Sequence, residues 1–412
     1  MSSVINPDLL PFADARRVVE LRAAELAPVE PEFTSLLDAT GLALAEDLRA
    51  DRDFPPFPRA TRDGYAVRAQ DVETVPAKLR RIGVLKAGAD SSSVVMAAGE
   101  AVEIMTGAGV PEGSDSVVMV EFTECEGETV TIARSVKPGE NVVPAGAEAK
   151  RGDIMVAKGA QVSHAVVAVA AAVGRAELAV HRRPRVAVLA TGDEVVDINL
   201  PPGPYEIRNS NSYSLAAQID ESGGDAIILP VARDDAAELA LMLRKGLESD
   251  LLLLTGGVSM GKYDLVEEVL ASLDAEFCFT GVAIQPGKPV VFGEVRMNGR
   301  NKPFFGLPGN PVSTMVTFQL FVRPVLDALR GAATTPLPFA QAALMQSLST
   351  KTGLTRFLPG RLAGSQETPT VELVPWHGSG DLMAAAKANC YIVVPPDREK
   401  LDAGEAVTIL LQ

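Results

Sequence analysis

LLLLTGGVSMGKYDLVEEVL, residues 251–270, decides the fold. Four consecutive leucines with no polar residue among them describe a strand buried on both faces, as in a sheet packed between helices. The run ends at Thr255-Gly256-Gly257, and a helical pattern follows over about 263–273. The same strand–loop–helix step occurs upstream. RVAVLATGDE (185–194) is a buried strand entering a polar loop, and NSYSLAAQIDESGG (211–224) is a helix closed by glycine. AIILP is another strand, 234–248 another helix, and strands are expected around 277–282, 289–293 and 303–306 before a last helix after Pro311. This alternation predicts an α/β domain over 181–332, with a parallel sheet covered on both faces in three layers.

Outward from that domain the pattern changes. The basic and proline-containing HRRPR (181–185) marks its upstream border. Residues 8–27 place Phe12, Val18, Leu21 and Leu26 on a helical period that Pro28 stops, and a second helix is expected across 35–49. DRDFPPFPRATRDGYAV (51–67) is irregular, short β-patterned segments fill 75–135, and 161–173 is helical again before Gly174. The expected organisation is a discontinuous mixed helical domain, 1–50 and 145–180, interrupted by a β-rich insertion over 51–144. After PLP (336–338) come TVELVPW, ANCYIVVPP and AVTILL, short strands between Gly and Pro turns. They predict a small β-barrel or sandwich over 333–412.

Composition bounds the function. A chain of 412 residues exceeds one ordinary core, so about two to four domains are expected. With 53 acidic against 38 basic residues the net charge is −15, which argues against nonspecific nucleic-acid binding and against an anionic membrane surface. Cys125, Cys278 and Cys390 are far apart in sequence, and His164, His181 and His377 are the only histidines. Neither a disulfide framework nor a zinc site is expected, and oxygen ligands point to Mg²⁺ or an oxyanion. The first residues carry no basic and apolar leader pattern, and the longest aliphatic run, Ala165–Val173, is too short to span a bilayer; a cytoplasmic location is expected.

In an open parallel sheet, ligands bind beyond the carboxyl ends of the strands. Three strands here end in polar, glycine-containing loops: ATGDE (190–194), TGGVSMGKYD (255–264) and GLPGNPVS (306–313). Gly256 and Gly257 let backbone N–H groups approach a ligand, and the following helix directs its positive end to the same place, which favours an oxyanion. Asp193 or Glu194 with Asp264 can hold Mg²⁺, and Lys288 of PGKP adds a point charge.

Nine ordered motifs between about 10 and 408 carry a resemblance. They are PPFPRATRDGYAV (55–67), EIMTGAGVPEGSDSVVMVE (103–121), GENVVPAGAEAKRGD (139–153), VLATGDE (188–194), IRNSNSYSL (207–215), TGGVSMGKYD (255–264), QPGKPVVFG (285–293), GLPGNPVS (306–313) and NCYIVVP (389–395). Together they resemble the molybdopterin molybdenumtransferases, the MoeA and gephyrin E-domain family. The resemblance implies insertion of molybdate into adenylated molybdopterin, with Mg²⁺-dependent release of AMP. It also implies an elongated homodimer whose site lies where the central domain meets the partner's inserted domain. Molybdopterin adenylyltransferase and proteins that mature molybdoenzymes are the further partners it suggests.

Position by position, the resemblance implies catalytic roles for Asp63 of DGYA, Thr106 of MTGA, Glu194, Asp234 and Asp264, with Glu194 and Asp264 as metal ligands. Ser259, Lys288, Pro308, Pro311 and Ser379 match substrate positions, beside Gly256 and Gly257. Read without the family, Asp234 is a helix N-cap and Pro311 a helix start. Asn141, Gln285 and Pro359 depart from residues common in the family: an acid, a lysine and an arginine respectively. Arg356 and Arg361 stand on either side of Pro359. Two other functions share parts of this pattern, the adenylyl transfer that charges molybdopterin and a non-catalytic scaffold of gephyrin type.

Overall fold

The computed structural model describes residues 9–257, 265–297, 299–364 and 368–412. Ser259 and Asp264 lie outside the described residues. At the centre is a six-stranded sheet in the order Asp225–Ile228, Arg185–Ala190, Leu251–Thr255, Arg300–Leu307, Val291–Met297, Ala275–Phe279. The first four strands are parallel. The fifth, Val291–Met297, runs antiparallel to both its neighbours, because only two residues rather than a crossover helix separate it from Arg300–Leu307; the sheet is therefore mixed and not wholly parallel as expected, and Ala275–Phe279 runs in the direction of the first four.

The leucine run is the sheet's axis. Leu251 and Leu253 face one core with Leu215 and Ile219 of the helix Ser210–Glu221 and with Val312 and Val316. Leu252 and Leu254 face the other, with Leu239 and Leu243 of the helix Ala236–Gly246 and Val266, Val269 and Leu270 of the helix Leu265–Ser272. Alternation along a strand sends successive side chains to opposite faces, so an all-apolar strand needs two cores. The stretch Pro311–Leu329 has the length and apolar composition of a membrane helix, but 83% of that window is buried inside the protein as a core helix.

The helix Phe12–Glu25 packs on this central core through Ala15, Val19 and Ala23. Phe12 sits edge-on to Phe321 and Phe357, at 6.1 and 5.3 Å between ring centroids, and Arg16 Nη1 donates to the Leu320 carbonyl. Leu21, expected on the buried face, is exposed. Small residues win here because they let the two helix axes approach. The helix expected across 35–49 does not form. That segment holds turns and the strands Ala43–Leu44 and Leu48–Arg49, and Ala43–Leu44 pairs with Glu177–His181. Pairing with a distant strand overrides local helix propensity.

The insertion is a six-stranded sheet in the order Ser116–Met119, Gly64–Val67, Glu100–Ile104, Ala77–Leu85, Thr129–Ile132, Thr123–Glu126. A Cβ at Gly64 would collide with the Val118 carbonyl, which accounts for the glycine of DGYA. The C-terminal strands close into a five-stranded barrel: Thr355–Gly364, Pro369–Leu373, Phe339–Leu344, Ala406–Leu411 and Cys390–Val394, the last pairing back with the first. The short strand Ile284–Gln285 runs parallel to Thr355–Arg356 and ties the barrel to the central domain.

Candidate functional site

Ala190, Thr255 and Leu307 are register neighbours, so the three glycine-containing loops leave the sheet side by side. Asn211 binds two of them together: its Nδ2 donates to Thr255 Oγ1 at 2.9 Å and to the Gly309 carbonyl at 2.7 Å. Among the described residues its Oδ1 is buried without a hydrogen bond, as is Thr191 Oγ1. Buried polar atoms left unpaired are costly, and here both belong to residues lining a cavity that a polar ligand can fill. Gly256 and Gly257 adopt positive φ, at 87° and 63°. A Cβ on Gly256 would strike the Thr191 carbonyl, and one on Gly257 would lie 2.5 Å from Thr191 Oγ1. Close packing of the two loops thus requires both glycines; only Gly256 also borders the cavity.

That first cavity encloses about 480 Å³ and is lined among others by Thr191, Glu194, Arg208, Asn211, Asn310 and Pro311, with Gly380 and Leu382 closing it from the barrel side. A second cavity of about 460 Å³ adjoins it, lined by Lys288, Pro308, Asn310, Ser313, Lys351, Arg356, Trp376 and Ser379. Asn310 borders both. Asn310 occupies the N-cap position of the helix Pro311–Thr317 without making a side-chain cap bond. The Val312 N–H donates to the Ser379 carbonyl at 3.0 Å, which holds the barrel loop against the helix start.

The acids gather at the first cavity. Glu194 lines it, and the Asp234 N–H donates to Asp193 Oδ1 at 3.3 Å. Desolvation, then the neighbouring Asp193 and Glu194 charges, raise the Asp234 carboxyl above the usual aspartate range. The N-cap of the following helix is Asp235, which accepts from the Ala237 and Glu238 N–H groups; Asp234, read from sequence as that cap, is left free. A cation would relieve this concentration of negative charge. Mg²⁺ needs only one or two protein carboxylates, taking its other ligands from water and phosphate, so the donor set fits it. Among the described residues no group of three or more acidic, His or Cys side chains forms a complete protein cage.

Asp63 and Thr106 lie in the inserted domain, exposed, and border neither cavity. The structure does bring them together. Asp63 Oδ1 accepts from the Thr106 N–H at 2.6 Å and from its hydroxyl at 2.7 Å, bonds that hold the Asp63 carboxyl below the usual range. Thus Glu194, Gly256 and Pro311 meet at the first cavity and Lys288, Pro308 and Ser379 at the second, while Asp63 and Thr106 stand apart within the chain. Sequence reasoning did not single out Thr191, Asn211 or Asn310. The polar run Asn209–Ser212 at a helix start was the available signal for Asn211, since such residues either cap or face a ligand.

Comparison with known proteins accounts for this architecture. The MoeA N-terminal region (domain I and II) matches residues 10–174, a "Probable molybdopterin binding domain" 187–328, and the MoeA C-terminal region (domain IV) 341–411. The molybdopterin molybdenumtransferase of Staphylococcus aureus (strain Mu50) is 34% identical over 375 residues, covering 89% of this chain and 88% of the relative. The chain belongs to the MoeA family. The molybdopterin molybdenumtransferase of Bacillus subtilis is 32% identical over 391 residues, 93% of this chain and 90% of that one. Among solved structures, a molybdopterin biosynthesis moeA protein from Pyrococcus horikoshii OT3 superposes with a TM-score of 0.81 at 27% identity, covering 98% of this chain and all of that one. A second Pyrococcus structure of the same description gives 0.74 at 33% identity over 98% of this chain and 99% of that one. The MoeA boundaries fall where the central sheet begins and where the barrel takes over.

Proposed function

We propose that this chain completes molybdenum cofactor synthesis by transferring molybdenum from molybdate to adenylated molybdopterin, with release of AMP. The observation that supports this reading is the meeting, at Asn310, of a cavity walled by Glu194 and Arg208, with Asp193 and Asp234 close by, and a cation-lined one. The substrates need both: a phosphoanhydride requires its charge neutralised where it breaks, and a molybdate dianion requires cations and hydrogen-bond donors. Glu194, with Asp264 beyond the described residues, would hold Mg²⁺, which supplies that neutralisation. Thr191, Asn211 and the backbone at Gly256 orient the nucleotide end, and Lys288 with Ser379 receives the oxyanion. Asn310 contacts both ends and sets the distance between them.

The same reading makes the working unit a cytoplasmic homodimer. Asp63 and Thr106 form a rigid, exposed pair outside their own chain's cavities, an arrangement suited to completing a second copy's site. Mass spectrometry of the pterin released from purified protein tests the reaction. AMP and molybdenum cofactor should appear only when molybdate and Mg²⁺ are both present. Accumulation of adenylated pterin from MgATP would instead identify an adenylyltransferase.

A further inference from the structure

A third cavity adjoins the second. It encloses about 400 Å³ and shares Gln285, Lys351, Arg356 and Trp376 with it. It has no described lining residue in common with the first, so the three follow one another, joined at Asn310 and then at this shared wall. The barrel adds an apolar side: Leu348, Leu358 of the strand Thr355–Gly364, and Leu373 at the end of Pro369–Leu373. Leu348 and Leu358 are buried in the barrel core, and Leu373 packs against it half-buried. Trp376 is half-buried and packs against both the central core and the barrel core, which fixes its ring at the domain boundary. Gln285, whose side chain is exposed, lies beside Arg356 in the parallel pairing that joins barrel to central domain.

An apolar pocket with one fixed aromatic wall suits a flat ring, and an amide at its rim suits a ring whose edge carries both donors and acceptors. In adenylated molybdopterin the groups run from nucleoside through diphosphate and dithiolene to pterin. With the nucleotide end in the first cavity and the oxyanion in the second, the dithiolene meets the oxyanion and the pterin extends away from the first cavity. We infer that the third cavity is the pterin subsite, where the ring packs between Trp376 and the leucines and its 2-amino-4-oxopyrimidine edge bonds the Gln285 amide. The subsite deepens the transferase reading and rests on it for the order of the groups. An indole already ordered by two cores loses little freedom when a ring packs on it. The pterin is unchanged by the reaction, so this contact is equally strong in the ground and transition states and acts on KM.

6-Hydroxymethylpterin has the ring but neither sulfur nor phosphate, and so isolates this subsite. Calorimetric titration of the full chain should give saturable binding. The bound pterin should also quench Trp376, the one tryptophan in the chain, because pterins absorb where tryptophan emits. Trp376→Ala should raise Kd about tenfold to a hundredfold, and Trp376→Phe should recover most of the loss. Gln285→Ala should raise it about threefold to tenfold. In turnover, Trp376→Ala should raise KM for adenylated molybdopterin more than it lowers kcat, with the Kd for AMP unchanged, a split that general loosening of the barrel would not produce. A wild-type protein that does not bind 6-hydroxymethylpterin would overturn the subsite, as would a Trp376→Ala protein with wild-type melting temperature and wild-type Kd. Should that variant not fold, Gln285→Ala decides, since its side chain is exposed: a wild-type Kd there overturns the subsite. AMP release separates this from the broader reading. Wild-type AMP release with Trp376-independent pterin binding removes only the subsite, whereas Trp376-dependent pterin binding without any AMP release keeps the subsite and removes the transferase.

Discussion

The two cavities that meet at Asn310 differ in the charge of their walls. The first has Glu194 and Arg208 in its wall, with Asp193 and Asp234 behind Glu194; the second has Lys288, Lys351 and Arg356 and, among the described residues, no acid. The difference teaches that the fold sorts charge by the loop it rides on. Acids follow the first strand of the domain, Arg185–Ala190, and the loop after Asp225–Ile228. The cations come from the PGKP turn and from a different domain.

The sharpest way to break this comparison is to neutralise the acidic end alone. Glu194→Gln should lower molybdate-dependent AMP release by roughly a hundredfold or more, while molybdate affinity at the basic end stays at the wild-type value. Equal loss of both would mean that the ends are not separate sites. Asp63→Ala comes next, expected to cut AMP release by about a hundredfold with little change in melting temperature, because its hydrogen bonds are solvent-exposed. Mixing that variant with Glu194→Gln should restore part of the activity through hybrid dimers if the two residues serve one site across subunits; no recovery would place them in separate roles.

Asn310→Ala should weaken both ends together, about tenfold each, at a stability cost under about 1 kcal/mol, because the side chain makes no cap bond to lose. Effects confined to one end would show that the cavities do not share it. The smallest effect concerns Asp234, whose carboxyl is raised by desolvation and by Asp193 and Glu194. A raised carboxyl favours the protonated native state, so its contribution is full below the unfolded value of 3.8 and is lost as pH rises through the folded value. Asp234→Asn should therefore raise the melting temperature slightly at pH 7 and leave it unchanged below about pH 3.5. Saturating Mg²⁺ should narrow the gap at pH 7 by stabilising the wild type more than the variant.

Much of this was legible from residue order. The leucine quartet, bracketed by helical periods, can only be a strand between two cores, and its neighbours in the sheet follow from the same grammar. That grammar places three loops on one edge of the sheet. Other features were not legible. The segment 35–49 contains good helix formers, yet it folds as turns and short strands because Ala43–Leu44 pairs with residues more than a hundred positions away. In the first helix, Ala15, Val19 and Ala23 form the contact and Leu21 points to solvent, a choice set by how closely the partner helix approaches. Asp234 and Asp235 are indistinguishable as N-caps in sequence; backbone geometry assigned the cap to the second.

Residue order alone determined the central α/β grammar, the three glycine-containing loops at one sheet edge and the family, since each rests on local periodicity and contiguous motifs. Only the tertiary structure decided that Asn310 borders two cavities and that Lys288, Lys351 and Arg356 line one of them. Those juxtapositions arise where the barrel strand Thr355–Gly364 pairs with Ile284–Gln285, a contact between segments about seventy residues apart. No local pattern encodes such pairing: it is selected by burial and hydrogen bonding of the whole chain at once.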